Sequence, residues 1–130
     1  MHPIFILLLM LFCHIVDDYY LQGWLASAKQ RKWWEQNAPK DLYKHDYLMA
    51  LACHAFSWSF MIMLPIAFAT GWFQGNTVWL LFAYPVNMGI HMFIDDLKAN
   101  KLKINLITDQ LIHFTQIGLT FLTYYLIFAR

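Results

Sequence analysis

The sequence predicts an all-α fold, a bundle of four transmembrane helices. Of its 130 residues, 60% are hydrophobic and 18% aromatic, whereas only 13% are charged. A soluble domain is about 45–50% apolar and roughly 25% charged, and a small domain leaves much of its chain at the surface. The apolar residues also fall into four segments, each long enough to cross a bilayer core of roughly 30 Å. These observations exclude an ordinary soluble enzyme, a disordered tail and a collagen-like chain.

We expect the whole chain, residues 1–130, to form a single integral membrane domain. A soluble helical bundle would show a polar outer face on every helix, whereas here the outer positions are Leu, Ile, Phe, Met and Trp. The predicted transmembrane helices, in chain order, are 3–21, 47–69, 77–94 and 104–129.

The basic residues predict how the bundle is oriented. Lys and Arg are concentrated in two predicted loops, 23–46 and 98–103. By the positive-inside rule these loops are cytoplasmic, and the N- and C-termini lie outside. The first loop mixes its cations with Trp24, Trp33 and Trp34, which predicts an amphipathic interfacial helix between helices 1 and 2. An Asn-Ala-Pro tripeptide is expected to divide that helix into two pieces.

Histidine–aspartate pairs lie within the apolar segments, where charged side chains are rare. Segments one, three and four each have a His and an Asp four residues apart, which puts both side chains on one helical face. Segment two has a single histidine in its apolar run. Because successive helices alternate in direction, all of these side chains fall at one depth in the cytoplasmic half of the bundle. The predicted metal ligands are His14, Asp18, His54, His91, Asp95, Asp109 and His113.

A divalent cation explains why such a cluster is tolerated in a membrane. A carboxylate at mid-bilayer costs about 2.5–3.5 kcal/mol, and neighbouring aspartates also repel one another. Imidazole with carboxylate suits zinc, our first choice, and also manganese or iron. The ligands exceed one tetrahedral site, so we expect one or two ions. Three aspartates and a bridging hydroxide would balance two ions, which favours two.

Polar residues beside these ligands suggest further roles. We expect three of them to support the ligands through hydrogen bonds, namely Gln22, Gln110 and Ser57. A carboxylate that does not bind the metal, Asp17 or Asp96, would act as general base, and Lys98 would bind a phosphate oxygen.

Each of these residues also has a plainer interpretation. A His–Asp pair can simply join two helices or lie solvated at the headgroup boundary, and His54 can be a neutral core histidine. Asp17 and Asp96 would then be solvated acids at helix ends, and Lys98 would extend to the interface. The convergence of four segments at one depth favours the metal-ligand interpretation over all of these.

Four short motifs follow one another along the chain. They are His14-x-x-x-Asp18 followed by Leu21-Gln22, Trp24 and Lys29, then His54, then His91-x-x-x-Asp95-x-x-Lys98, and finally Asp109-Gln110-x-x-His113. Together they resemble the bacterial and phage membrane family called domain of unknown function 3307, over nearly the whole chain. The resemblance implies a multi-pass protein of the bacterial inner membrane, encoded by a host or a phage, and it implies a bound metal. The family commonly has glycine at the position of Asp17, which implies that Asp17 is not a shared ligand.

The function that these features favour is a membrane-embedded, metal-dependent hydrolase. Its substrate would be a lipid or another amphiphilic ester or phosphoester that reaches the cytoplasmic face from the bilayer. Alternatives are metal or ion transport or sensing, a structural helical subunit of a larger complex, and a redox protein that holds a haem between His54 and His91 or a diiron centre. Expected partners are the bilayer, the amphiphilic substrate and a second copy in a homo-oligomer. A net charge of +1 argues against nucleic acid.

Overall fold

The computed structural model describes residues 1–72, 74 and 77–128, and every regular element in this part of the chain is helical. The helices are α1 (Pro3–Ile15), α2 (Leu25–Ala28), α3 (Arg31–Asn37), α4 (Asp46–Ala69), α5 (Thr77–Ala99) and α6 (Leu106–Phe128). A π-helical turn, Val16–Leu21, continues α1, and a short 3-10 turn, Asp41–Tyr43, precedes α4. The predicted all-α class is confirmed.

Four helical segments are long and apolar enough to cross a membrane, as the sequence predicts. They are Pro3–Leu21, Asp41–Ala69, Thr77–Ala99 and Leu106–Phe128. Large apolar side chains cover their outer surface; Phe12, Phe82 and Leu119, on three different helices, are 59–69% exposed. Large exposed apolar surfaces of this kind mark contact with a membrane or with another protein.

The bundle has two ends of different character. α4 packs against α1 and α5, and α6 closes the ring by contacting α5 and α1. At one end, apolar side chains such as Met10, Ile62, Ile66 and Ile117 form the core. At the other end the same four helices bury histidine and aspartate instead. The apolar end supplies the packing that holds the polar end together.

The turn at the end of α1 places two consecutive aspartates inside the bundle. In an α-helix neighbouring side chains point about 100° apart, so only one of them would face inward. A π-helical turn accommodates an extra residue, and here the side chains of Asp17 and Asp18 are only 2% and 5% exposed. Gln22 stabilises the turn because its Nε2 donates to the backbone carbonyl of Asp18.

The ends of the last two long helices differ from the prediction. α5 was expected to end at residue 94 but continues to Ala99, which shortens the predicted loop 98–103. The helix continues because its last turn is held by side chains; Asn100, just beyond it, donates to the carboxylate of Asp96. α6 begins at Leu106 rather than 104, since the Asn105 side chain accepts from the backbone N–H of Thr108. The predicted end at residue 129 lies outside the described residues.

The connection between the first two long helices contains two short helices and a turn. The chain breaks twice, first at Gln30, whose backbone is extended, and again around Ala38 before Pro39. The second break is the predicted one, because the residue before a proline is disfavoured in the helical conformation. The Trp24, Trp33 and Trp34 rings contact one another edge to face.

Candidate metal centre

Six side chains from four helical segments meet at the polar end of the bundle. We call this group the His/Asp cluster: Asp18, His54, His91, Asp95, Asp109 and His113. Their side chains are at most 5% exposed. The spacing of four residues places His91 with Asp95 on the inner face of α5, and the same spacing places Asp109 with His113 on that of α6.

One half of the cluster is centred on the Nε2 atom of His54. This atom lies 3.1 Å from His91 Nε2, 3.2 Å from Asp18 Oδ1 and 3.4 Å from Asp95 Oδ2. His91 Nε2 lies 4.0 Å from Asp18 Oδ1 and 3.8 Å from Asp95 Oδ1. A tetrahedral zinc site with bonds of about 2.0–2.2 Å has ligand atoms about 3.3–3.6 Å apart. The observed separations scatter around that value.

The other half is centred on His113. Its Nε2 lies 3.3 Å from Asp109 Oδ1 and 3.5 Å from Asp95 Oδ1. Among the residues that the structure describes, neither His113 Nε2 nor Asp109 Oδ1 has a hydrogen-bond partner, although both atoms are buried. Buried polar atoms without partners are rare and call for an explanation. A cation between them would satisfy both.

Three overlapping groups of side chains have the geometry to hold a metal ion. They are Asp18, His54 and His91; His91, Asp95 and His113; and Asp18, Asp109 and His113, and within each group the ligand atoms lie within 4.8 Å of one another. Because the groups share members, they describe one compact site with several donors. The donor set of imidazole nitrogen and carboxylate oxygen suits a divalent metal such as zinc, manganese or iron.

His14, which the sequence predicts as a ligand, lies beside the cluster, with its ring centroid 5.8 Å from that of His113. Its Nδ1 accepts from Trp58 Nε1 at 2.7 Å, and its Nε2 lies 2.9 Å from Gln110 Oε1. The indole N–H can only donate, so His14 Nδ1 is an acceptor and Nε2–H donates to Gln110. Both ring nitrogens are thus engaged within the protein, and the structure does not bring a free nitrogen of His14 to the other predicted ligands.

Gln110 connects His14 to two carboxylates of the cluster. With its Oε1 accepting from His14, its Nε2 donates to Asp18 Oδ2 and to Asp109 Oδ2, each at 3.0 Å. Gln110 thereby contacts two of the predicted ligands. Gln22 also contacts a predicted ligand, since its Nε2 lies 3.3 Å from Asp18 Oδ1.

Trp58 is a part of the site that the sequence analysis missed. We assigned the tryptophans to lipid contact and the interface, but Trp58 is fully buried. Besides its bond to His14, its ring stacks on His91 with centroids 4.1 Å apart and planes 15° from parallel. Its position four residues after His54, on the same face of α4, was the available signal.

Asp17 faces His54 rather than an open site. Its Oδ2 lies 3.7 Å from His54 Nδ1, and its Oδ1 accepts a hydrogen bond from the Ser57 hydroxyl. A carboxylate on the far nitrogen of a ligating histidine is a common arrangement in metal sites, where it fixes the ring and its tautomer. Asp17 and Ser57 are therefore placed to position His54, which differs from the base role expected for Asp17.

Two lysines pair with the cluster carboxylates. Lys98 Nζ lies 2.6 Å from Asp109 Oδ2, and Lys29 Nζ lies 2.5 Å from Asp95 Oδ2. Lys98 was expected near the site, but we had counted Lys29 among the loop cations that set topology. The one signal for Lys29 was its place in the motif after Trp24.

Asp96, the other expected base, lies outside the cluster. Its Oδ1 accepts from Asn100 Nδ2 at 2.9 Å, and its Oδ2 lies 3.1 Å from Lys101 Nζ. These contacts hold the end of α5, so Asp96 has a structural place there and the structure does not bring it to the ligands.

A protein-family model matches residues 5–129 of the chain, and its description is Protein of unknown function (DUF3307). No curated protein and no solved structure matches the chain. The family description names no reaction, metal or partner.

Proposed function

The chain belongs to the family described as Protein of unknown function (DUF3307), and from this premise we propose that it is a membrane-embedded, metal-dependent hydrolase of amphiphilic esters. The proposal depends on the chain's own site, because the family description assigns no activity. The observation that carries it is the meeting of three imidazoles and three carboxylates from four helical segments, with their nearest atoms 3.1–4.0 Å apart.

We infer that the site holds one divalent ion rather than two. The four buried aspartates bring four negative charges, and Lys29 and Lys98 return two positive ones. With neutral histidines, one divalent ion balances the remaining two charges. The earlier preference for two ions counted three aspartates and no lysine.

The arrangement of carboxylate oxygens supports metal binding with both lysines in place. Asp95 and Asp109 each turn Oδ2 to a lysine and Oδ1 to His113 Nε2. Asp18 turns Oδ2 to Gln110 and Oδ1 to His54. For Asp18 and Asp109, Oδ2 is thus held by a protein donor and Oδ1 faces imidazole. Both oxygens of Asp95 face imidazole, because its Oδ2 also lies 3.4 Å from His54 Nε2. A bound divalent ion makes hydroxide available near neutral pH, which is the nucleophile that ester hydrolysis needs.

A lateral groove supports an amphiphile as the substrate. A groove of about 590 Å³ runs between the end of α1 and the start of α6, and its walls include Tyr19, Ile107 and Phe114. Gln110 also lines it, and Gln110 contacts Asp18 and Asp109 on its other side. An apolar chain in this groove would bring its ester group to the Gln110 side of the cluster. Lys98, whose side chain is 33% exposed beside Asp109, is placed to meet an anionic oxygen.

We also propose the cellular placement that the loop charges favour. The protein would span the bacterial cytoplasmic membrane, in a host or as a phage product, with the cluster near the cytoplasmic side. The connection between α1 and α4 and that between α5 and α6 would face the cytoplasm.

The first experiment measures metal content. We expect protein purified in detergent without chelators to contain one divalent ion per chain by elemental analysis, with zinc first. His113→Gln should lose most of it, and His45→Gln, which changes an exposed histidine outside the cluster, should retain it. Purified protein that contains no divalent metal would contradict the proposal.

The second experiment measures hydrolysis of 4-nitrophenyl hexadecanoate and 4-nitrophenyl hexadecyl phosphate in mixed micelles. Water adds to the carbonyl carbon or to phosphorus, the bond to the 4-nitrophenyl oxygen breaks, and 4-nitrophenol is released. We expect release with at least one of these esters, its loss with a chelator and its return with metal. Bound metal with no release from either ester would contradict the hydrolase function, and metal uptake into proteoliposomes would then favour transport.

A further inference from the structure

The carboxylate of Asp95 lies between the two halves of the His/Asp cluster. Its Oδ2 is 3.4 Å from His54 Nε2, and its Oδ1 is 3.5 Å from His113 Nε2. One carboxylate therefore directs a different oxygen to each half. In proteins that bind two catalytic ions, the ions lie about 3.5–4 Å apart, a separation that a carboxylate with one oxygen on each ion can span. Asp95 thus has the placement of a bridging ligand.

Each half of the cluster also has donors of its own. Around His54 Nε2, one further imidazole nitrogen lies at 3.1 Å and one further carboxylate oxygen at 3.2 Å. In the other half, Asp109 Oδ1 lies 3.3 Å from His113 Nε2, and both atoms are buried without a hydrogen-bond partner among the described residues. The donors would therefore suffice for an ion in each half, provided that Asp95 gives one oxygen to each.

Lys29 already holds one of these two oxygens. Its Nζ lies 2.5 Å from Asp95 Oδ2, the oxygen that faces His54. The lysine is fixed in this position, because the preceding Ala28 is fully buried and the backbone carbonyl of Lys29 accepts from Asn100 Nδ2 at 3.1 Å. A lysine ammonium group is a compact positive charge. At this position it engages the oxygen that a second metal ion would need, and it repels that ion.

The charges of the buried groups lead to the same result. With both lysines present, four buried aspartates leave two net negative charges, which one divalent ion balances. Without Lys29 there would be three, which two divalent ions and a bridging hydroxide would balance. Lys98 differs from Lys29 in its geometry, because it contacts Asp109 Oδ2 while Oδ1 of that aspartate faces His113.

We propose that Lys29 limits the His/Asp cluster to one divalent ion by holding the Asp95 oxygen that would bridge to a second. Lys29 thereby determines the number of metal ions, and removal of its ammonium group opens the second place. This inference rests on the proposed metal site, but it does not depend on the hydrolase activity.

The test counts metal ions in two matched variants. Lys29→Met keeps an unbranched side chain and removes the charge, and Lys98→Met removes the same charge from an oxygen that does not face an imidazole. After loading with manganese(II) and removal of unbound ions, we expect elemental analysis to find two ions per chain in Lys29→Met, and one in Lys98→Met and in the unsubstituted protein. One ion in Lys29→Met, or two in both variants, would overturn the proposal. Unsubstituted protein that binds no metal would instead contradict the proposed metal site.

Electron paramagnetic resonance locates the second ion. Two manganese ions that share a bridging ligand are magnetically coupled, so we expect a coupled signal from Lys29→Met and the signal of an isolated ion from the unsubstituted protein. A second ion without coupling would lie elsewhere on the protein and would contradict the assignment. Because the second ion replaces the lost positive charge, the manganese-loaded variant should have normal helicity by circular dichroism. A variant that stays unfolded in excess manganese would show that an ion cannot take the place of the ammonium group, which would also overturn the proposal.

Discussion

At the scale of single residues, the carboxylates of the His/Asp cluster contact protein donors as well as imidazoles, and Asp95 Oδ2 contacts both Lys29 and His54. Lys29, Lys98 and Gln110 each take an Oδ2 atom, which leaves an Oδ1 atom facing imidazole. Such outer contacts fix the orientation of ligands, and in known metal proteins their loss costs about 10–100-fold in metal affinity. Substitution of the residues around the cluster should therefore change metal affinity measurably, as substitution of the predicted ligands should.

The first residue-scale prediction concerns two aspartates that the sequence alone could not distinguish. Asp17→Asn removes the charge facing His54 Nδ1, so we expect metal binding to weaken about 10–100-fold with one ion per chain still bound. Asp96→Asn changes an acid that pairs with Lys101 at the helix end and should leave affinity unchanged. The measurement is competition with a chromophoric chelator in detergent. Equal affinities in the two variants would refute the positioning role of Asp17.

The second prediction concerns the indole N–H of Trp58. Trp58→Phe keeps an aromatic ring against His91 but removes the donor to His14 Nδ1. His14 is then free to change tautomer or turn, and Gln110 loses its fixed orientation. We expect metal affinity to fall about tenfold. Trp79→Phe, a matched change at a tryptophan that bonds Thr123, should have no such effect, and a fall of the same size there would show that Trp58 has no specific role.

These residues also show which parts of the candidate site could be predicted from the sequence. The proximity of the His–Asp pairs on α5 and α6 was predictable because a spacing of four residues on one helix fixes a common face. The places of Lys29 and Trp58 were not, since each depends on contacts between segments 66 and 44 residues apart in the chain. His14 has the same spacing to Asp18 as His91 to Asp95, and only the structure shows that its ring nitrogens bond Trp58 and Gln110.

At the scale of elements, the π-helical turn is the feature that periodicity could not anticipate. An α-helical reading of the first segment puts His14 and Asp18 on one face and Asp17 on another. The extra residue in the turn buries both aspartates. The approximate helix lengths, in contrast, were predictable because each apolar run is long enough to cross a bilayer. The largest difference between a predicted and an observed helix end is at α5, where polar residues after the apolar run remain helical.

Removing one residue from this turn tests its role. Deletion of Tyr20, an exposed residue within Val16–Leu21, should convert the turn to regular α-helix, so that Asp17 and Asp18 cannot both face the cluster. We expect metal content to fall to less than half, with helicity by circular dichroism nearly unchanged. Tyr20→Ala removes the same side chain without shortening the turn and should bind metal normally. Full metal content after the deletion would show that the turn is dispensable.

At the scale of the whole molecule, a metal ion would connect helices that differ in how much of their surface is buried by packing. Buried residues make up 56% of the most apolar stretch of Asp41–Ala69, but only 28% of that of Leu106–Phe128 and 22% of those of Pro3–Leu21 and Thr77–Ala99. Grooves lie on both sides of α6. Asp109 and His113 give α6 its place at the cluster. A ligand that binds only the folded state adds about 2.7 kcal/mol of stability at a hundredfold excess over its dissociation constant.

We therefore expect chelation to loosen α6 more than α4. Hydrogen exchange in detergent, read by mass spectrometry with and without a chelator, should show faster exchange in peptides from α6 and little change in peptides from α4. Zinc added back should restore the protection. The apolar core residues of α6, such as Ile117 and Tyr124, set a limit to this effect at its far end. Uniform acceleration in both helices would indicate global unfolding and contradict selective attachment.

The orientation of the whole bundle is the final prediction. If the basic connections face the cytoplasm, Lys40→Cys should react with a membrane-impermeant maleimide only after cells are permeabilised, and Gln74→Cys should react in intact cells. Both changes are made in a background with Cys13→Ala and Cys53→Ala, because Cys53 is exposed and Cys13 partly so. The opposite labelling pattern would place the cluster near the outer face. A substrate would then have to come from the outer leaflet, since the groove beside Gln110 lies at the same end as the cluster.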